Sequence, residues 1–390
     1  MSASVAFYAP MKPPDHPVAS GDRRMARSLM SALARAGFEP ELVARLRSYD
    51  RTGDAGRQHR LATLGAYKAE RLLRRYASGA MQRPSAWLTY HAYHKSPDWL
   101  GPVVAPELGI PYLIAEASFA ARQAAGPWAF GHRAAAHAIR TADIVLAMTA
   151  VDAEGLETLV RPPAELCRLP PFLDPAPFRA ARAERAVHRA RLAARFGLDP
   201  ALPWLLAVAM MRDDAKLLSY KLLAEALGEG QGGWQIIIAG DGPARAEVEA
   251  AFAPLGPRAY LIGRLEESEL PGIYASCDLY VWPAVREAYG LAMLEAQASG
   301  LPVVAGAEGG VAEVLQDGVT GVLILRRDRR LFAAAVAHLL HAPAHRDRMA
   351  EAAAAFVARE RSLDRAASLL GDAITRAQAI NAMRRWRASG

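Results

Sequence analysis

Two carboxylates and two cations carry the chemistry legible in this chain. Glu287 lies in a loop, Pro283 to Tyr289, and Glu295 lies on the first turns of the helix that runs from Gly290 to Ser299. Forty of the 390 residues are acidic, so two acids eight apart arise by chance about four times in such a chain, and the gap alone says nothing. Their placement says more. Free backbone N–H groups at Gly290 to Met293 favour an anion at the helix start. A phosphate held there leaves Glu287 to accept the hydroxyls of a sugar and Glu295 those of a ribose. Arg212 and Lys216 follow the strand Trp204 to Met210, where two cations can reach a diphosphate. Without a ligand the same residues read as a helix cap, a solvated helix position and two surface charges, with Asp213 and Asp214 capping the next helix or pairing with Arg212.

The elements that must position these groups alternate strand and helix. Ser4 to Ala9 is a short apolar run, a Pro-rich loop follows, and a helix at Arg23 to Ala36 leads to a strand at Glu41 to Ala44, an opening βαβ unit. Its loop lacks the G-x-G-x-x-G fingerprint of dinucleotide oxidoreductases. Gly21 and Asp22 are candidates for substrate contact there, and Asp22 equally suits an N-cap. Strands at Ala86 to Tyr90, Pro111 to Ala115 and Asp143 to Met148 imply a parallel sheet whose polar loops gather at the strands' carboxyl ends, bringing His91, His94 and Glu116 together. A helix is expected over Arg122 to Arg140. Four prolines within Leu169 to Pro177 mark a stiff domain boundary. In the second half, strands at Ile236 to Ala239 and Tyr260 to Ile262 end in Gly240-Asp241-Gly242-Pro243 and Gly263-Arg264-Leu265. The fold class is therefore α/β, two Rossmann-like doubly wound domains. The first covers 1–172, the second 173–365, and a last helix covers 366–390.

The stretch from Glu287 to Glu295, with Gly290-Leu291 and the run Ser299-Gly300-Leu301-Pro302-Val303, resembles the signature of retaining GT-B glycosyltransferases of the glycogen-synthase-like family 4, or group 1. Arg212 with Lys216 is similar to that family's donor motif, with Met211 in place of its usual glycine. The resemblance implies two domains facing a cleft, a nucleoside diphosphate sugar on the second domain and an acceptor (glycan, lipid-linked or small-molecule) on the first. It implies catalytic roles for Glu287, Arg212, Lys216 and His94. Donor contacts are implied for Glu295, Gly290, Leu291, Tyr289, Gly240, Arg264 and Gly21, and the acceptor side for His91 and Glu116. It further implies that the last helix returns to the first domain. Glu116 stands where many members carry a histidine.

Composition narrows the alternatives. No run of about 18 apolar residues exists, the start is too short in apolar residues for a signal segment, and the two cysteines Cys167 and Cys277 do not form a framework, which together suit a cytoplasmic protein. The net charge of +7 concentrates in residues 45–75, where nine basic residues stand against three acidic ones, with Leu61, Leu64, Leu72 and Leu73 interleaved. Such a segment suits peripheral contact with anionic lipid, or a solvated helix. No zinc-finger, RNP-type or basic-zipper pattern points to nucleic acid. No D-x-D occurs, so no metal or other cofactor is expected. The alternatives are a nucleotide-sugar epimerase or a phosphorylase on the same fold, or a sugar-nucleotide-binding protein without turnover. None of the five lysines has an obvious pyridoxal setting.

Overall fold

The computed structural model describes residues 3–18, 20–230 and 232–389. The chain forms two compact units, 1–170 with 363–390, and 171–362. The N-terminal unit holds strands β1 (Ser4–Tyr8), β2 (Glu39–Ala44), β3 (Ala86–Ala92), β4 (Tyr112–Ala117), β5 (Ile144–Ala147) and β6 (Glu165–Arg168), in the spatial order β2-β1-β3-β4-β5-β6. The second unit holds β7 (Trp204–Val208), β8 (Gln235–Ala239), β9 (Ala259–Gly263), β10 (Leu279–Trp282), β11 (Val303–Gly306) and β12 (Gly321–Ile324), ordered β12-β11-β10-β7-β8-β9. Every pairing in both sheets is parallel.

Parallel sheets are covered on both faces, and the central strands show it as unbroken burial rather than alternation. Ile236, Ile237 and Ile238 of β8 are each fully buried, and each contributes about 1.5–3 kcal/mol relative to exposure. The order in the second unit reverses between β7 and β10, and in the first between β1 and β3. Loops leaving such neighbouring strands diverge to opposite faces and open a crevice at the strands' carboxyl ends, which is where α/β sheets bind ligands.

Several elements differ from expectation. β6 is an edge strand with every residue half-buried, so it lacks the apolar run that marks its neighbours. The helix expected over Arg122 to Arg140 starts only at Ala129, because Gly126-Pro127 breaks the chain after a single turn at Ala121–Gln123. Gly309-Gly310 lead into a short 3-10 turn, Val311–Glu313. Ser20, not Asp22, caps the helix Gly21–Arg35. Of the basic segment 45–75, residues 55–75 lie in the helix Ala55–Ala77, and Arg45, Arg47 and Arg51 precede it in irregular chain. Leu72 faces the core, Leu61 and Leu73 are half-buried, and of the four interleaved leucines only Leu64 is exposed, alongside Tyr67.

Candidate functional site

At the switch point of the second unit, Arg212 and Lys216 follow β7 and Glu287 follows β10, so charged groups from distant sequence stand at the ends of adjacent strands, and two of them, Lys216 and Glu287, meet. Asp214 caps the helix Ala215–Gly228 by accepting from the Lys216 N–H at 2.8 Å. That fixes the first turn, and the Lys216 ammonium bonds the Glu287 Oε2. The Trp282 indole N–H donates to the same oxygen at 3.1 Å, and the ammonium lies 5.4 Å from the Trp282 ring. Among the described residues both contacts fall on Oε2, which leaves Oε1 for a ligand. Arg212 is exposed and its guanidinium has no partner among the described residues, so the pairing with Asp213 or Asp214 considered from sequence is not formed.

The loop carrying Glu287 is strained. Ala284 (φ 56°) and Arg286 (φ 49°) adopt the left-handed region without being glycine, at a cost of order 1–3 kcal/mol each. Contacts from three sides hold it. The buried Val285 N–H donates to Ser219 Oγ at 3.0 Å, the Arg286 N–H to Glu308 at 2.9 Å, and the Gly310 N–H to the Ala288 carbonyl at 2.7 Å. A side chain at Gly309 (φ +59°) would place its Cβ 1.9 Å from the Glu287 carbonyl oxygen, so only glycine lets the two loops touch.

Glu287 caps nothing. The helix Leu291–Ala298 starts at Gly290 (φ 74°) without a side-chain cap, so its first N–H groups remain available to an anion. Glu295 is not a solvated helix residue either. It is 2% exposed and accepts from the buried Tyr274 hydroxyl at 2.8 Å. Tyr289 is buried and Leu291 half-buried beside this helix start. Gly240 follows β8, and a Cβ there would meet the Ala209 carbonyl oxygen at 1.9 Å, so β7 and β8 close tightly at their ends. Arg264 is exposed after the edge strand β9.

The N-terminal unit has its own cluster at its switch point. The His91 Nδ1 lies 3.1 Å from Asp22 Oδ1 and 3.7 Å from Glu116 Oε1. His91 (φ 60°) and Glu116 (φ 58°) are again left-handed non-glycine residues, at the ends of β3 and β4. Burial alone would lower the His91 pKa, but the charges of Glu116 and Asp22 outweigh it and raise it to about 9, so the ring is an imidazolium at neutral pH. Burial pushes the Glu116 carboxyl up. It pushes Asp22 up as well, yet the His91 hydrogen bond and charge win there and hold it below the usual value. Of the two candidate histidines, His91 is the one in this cluster. His94 stacks edge-on between Tyr93 and Trp128, and burial with Lys95 beside it lowers its pKa to about 4. Gly21 is the exposed first residue of its helix.

Trp282, Ser219, Tyr274 and Glu308 were not marked by any local pattern. Ser219, Tyr274 and Glu308 act on partners 66, 21 and 22 residues away, which only the fold brings together, while Trp282 reaches Glu287 five residues on across the strained loop.

Residues 215–356 match the family described as glycosyl transferases group 1. The chain is 32% identical over 236 residues to an alpha-D-kanosaminyltransferase of Streptomyces kanamyceticus, 60% of each chain. It is 36% identical over 128 residues to a sulfoquinovosyl transferase of Arabidopsis thaliana, 32% of this chain and 24% of that one. The chain thus spans 60% or less of these two relatives. A sucrose-phosphate synthase from Thermosynechococcus elongatus superposes with TM-score 0.72 at 20% identity over 100% of both chains. HepE of Anabaena, solved with UDP, superposes with TM-score 0.72 at 14% identity over 95% of this chain and 99% of that one. At these identities the two structures show the fold, two Rossmann-like domains of GT-B type.

Proposed function

We propose, from the premise that residues 215–356 belong to the glycosyl transferases of group 1, that the protein transfers a sugar from a nucleoside diphosphate sugar to a hydroxyl, with retention of anomeric configuration. The observation that carries this reading is the meeting of Lys216 and Trp282 on one oxygen of Glu287, beside an uncapped helix start at the switch point of the sheet. The diphosphate lies against the N–H groups of Gly290 and Leu291, with Arg212 and Lys216 neutralising it. Glu287 accepts sugar hydroxyls through Oε1, and Glu295, oriented by Tyr274, accepts those of the ribose. Gly240, Arg264 and Tyr289 line the nucleotide's remaining surface. In the transfer the bond from the anomeric carbon to the phosphate oxygen breaks, a bond from that carbon to the acceptor oxygen forms, and the acceptor's proton passes to the leaving diphosphate. Preorganised cations at the leaving group are worth a few kcal/mol of barrier. We assign the acceptor to the Asp22, His91 and Glu116 cluster, with His94 and Gly21 near its rim. His91, already protonated, donates there and does not act as a base.

Because Arg212 and Lys216 supply the positive charge, turnover measured as nucleoside diphosphate release should persist in excess chelator. It should fall by roughly 10²–10³ in Arg212→Ala and in Lys216→Ala. Activity that disappears in chelator and returns with magnesium or manganese would overturn this and point to Asp213 and Asp214. Conversion of the sugar nucleotide in the absence of any acceptor would favour an epimerase instead.

A second, surface-level reading places the helix Ala55–Ala77 against anionic lipid. Its buried face is Gln58, Gly65, Ala69, Leu72 and Tyr76, and its outer face presents Arg57, Arg60, Arg71, Arg74 and Arg75 around the exposed Leu64 and Tyr67. No helix among the described residues is long and apolar enough to cross a membrane, so contact of this kind is peripheral. Flotation with phosphatidylserine vesicles should show binding that salt weakens and that Arg71, Arg74 and Arg75 changed to Glu abolish. No binding at low ionic strength leaves the helix merely solvated.

A further inference from the structure

We propose that the ion pair between Arg327 and Glu308 is a positioning device for Glu287, and through it sets how well the sugar of the donor is held relative to the nucleotide. The inference rests on the reading of Glu287 as the sugar's acceptor. Arg286, the residue directly before Glu287, is held at φ 49°, a conformation it keeps only while its surroundings impose it. The restraint on its backbone N–H is Glu308 Oε2 at 2.9 Å. Glu308 is itself fixed on both oxygens, Oε1 by the Arg327 Nε and Oε2 by the Arg327 Nη2 at 2.9 Å. A carboxylate gripped as a fork cannot swing away from the Arg286 N–H without breaking a bidentate pair. Arg327 ends the turn Leu325–Arg327 that follows β12, and Glu308 follows β11. The pair therefore ties the ends of β10, β11 and β12 into one frame, opposite the Ser219 contact that anchors Val285 from the helix bearing Lys216.

An ordinary surface ion pair is the plainer explanation, since the two side chains are 42% and 25% exposed and exposed pairs contribute little to stability. What distinguishes this one is its third member, a backbone N–H one residue from the site. A purely structural pair would change melting temperature or nothing. A positioning pair changes the sugar's contribution to binding far more than the diphosphate's, because the N–H it holds adjoins Glu287 while the exposed Arg212 follows β7.

The test is calorimetric titration with UDP-glucose and UDP, or with whichever ADP, GDP or TDP sugar and parent diphosphate stabilises the wild-type protein most in a thermal-shift panel. In Glu308→Ala the sugar nucleotide should bind at least fivefold more weakly while the parent diphosphate stays within twofold. Arg327→Ala should lie between that variant and wild type. Glu308→Gln keeps one acceptor for the Arg286 N–H but loses the fork with Arg327, so it should recover part of the loss and lie near Arg327→Ala. Equal weakening of both ligands, no change in either, or Glu308→Gln as impaired as Glu308→Ala overturns the proposal. Glu287→Ala separates the two levels. If it too leaves the ratio of affinities unchanged, the assignment of Glu287 to the sugar fails and this inference falls with it. If it destroys the ratio and Glu308→Ala does not, only the positioning role fails.

Discussion

At the scale of single residues, the N-terminal cluster makes a pH-dependent claim. His91 faces Glu116, Asp22 and Asp152, and its pKa is raised from an ordinary 6.5 to about 9. A histidine whose folded pKa is raised adds stability that is complete below its unfolded pKa and is lost as pH rises through the folded one. The melting temperature should therefore fall between about pH 6.5 and 9 more steeply in the wild type than in His91→Gln. Parallel curves would contradict the buried imidazolium. His94, lowered to about 4 by burial and Lys95, is neutral in the folded state throughout that range, and His94→Gln should leave the slope unchanged above about pH 7.5, where the unfolded histidine is neutral as well. The chain's chemistry was legible here only as residue types at strand ends. Tyr90-His91-Ala92-Tyr93-His94 offers two histidines three apart, and nothing local says which meets Asp22. The choice depends on the left-handed backbone at His91 and Glu116, a tertiary effect that sequence periodicity does not encode.

At the scale of elements, the β10-loop-helix unit was legible almost to the residue. Its strand is apolar, its helix begins and ends at glycine, and the second glutamate falls on the helix. Other elements were hidden for physical reasons. An edge strand such as β6, half-buried throughout, has no unbroken apolar run to announce it. The 3-10 turn after Gly310 begins in the apolar Val311-Ala312 that would also open a helix. What the sequence could not convey is how loops from β10 and β11 close on one another. Gly309→Ala forces a Cβ against the Glu287 carbonyl, in a conformation a side chain resists. It should displace the Glu287 loop and cut sugar-nucleotide affinity tenfold or more, about 1.4 kcal/mol. Unchanged affinity in a folded Gly309→Ala protein would show that the loop contact is dispensable. Ser219→Ala should lower the melting temperature as well, since it leaves the buried Val285 N–H unpaired, a loss of about 1–3 kcal/mol.

At the scale of the whole molecule, the chain completes its first unit with its last helix. Leu363–Ser389 packs on the helix Gly21–Arg35 and on β4 and β5, with Leu370, Ala373, Ile374 and Ala377 buried, and Arg384 bonds the Thr141 carbonyl at 2.8 Å and pairs with Asp143 at 3.0 Å. A chain ended at residue 362 should lose the cooperative unfolding of the first unit and keep nucleotide binding in the second. Retention of both transitions in calorimetry would show the helix to be an accessory. The central claim, that the second unit's switch point reads a nucleoside diphosphate sugar with cations on the diphosphate and Glu287 on the sugar, is tested most directly by titrating Glu287→Gln with a sugar nucleotide and its parent diphosphate. The substitution releases Lys216 from its ion pair, so the parent diphosphate should bind at least as tightly as to the wild type, while the additional affinity conferred by the sugar disappears. Equal weakening of both ligands, or full retention of the sugar's contribution, would contradict it.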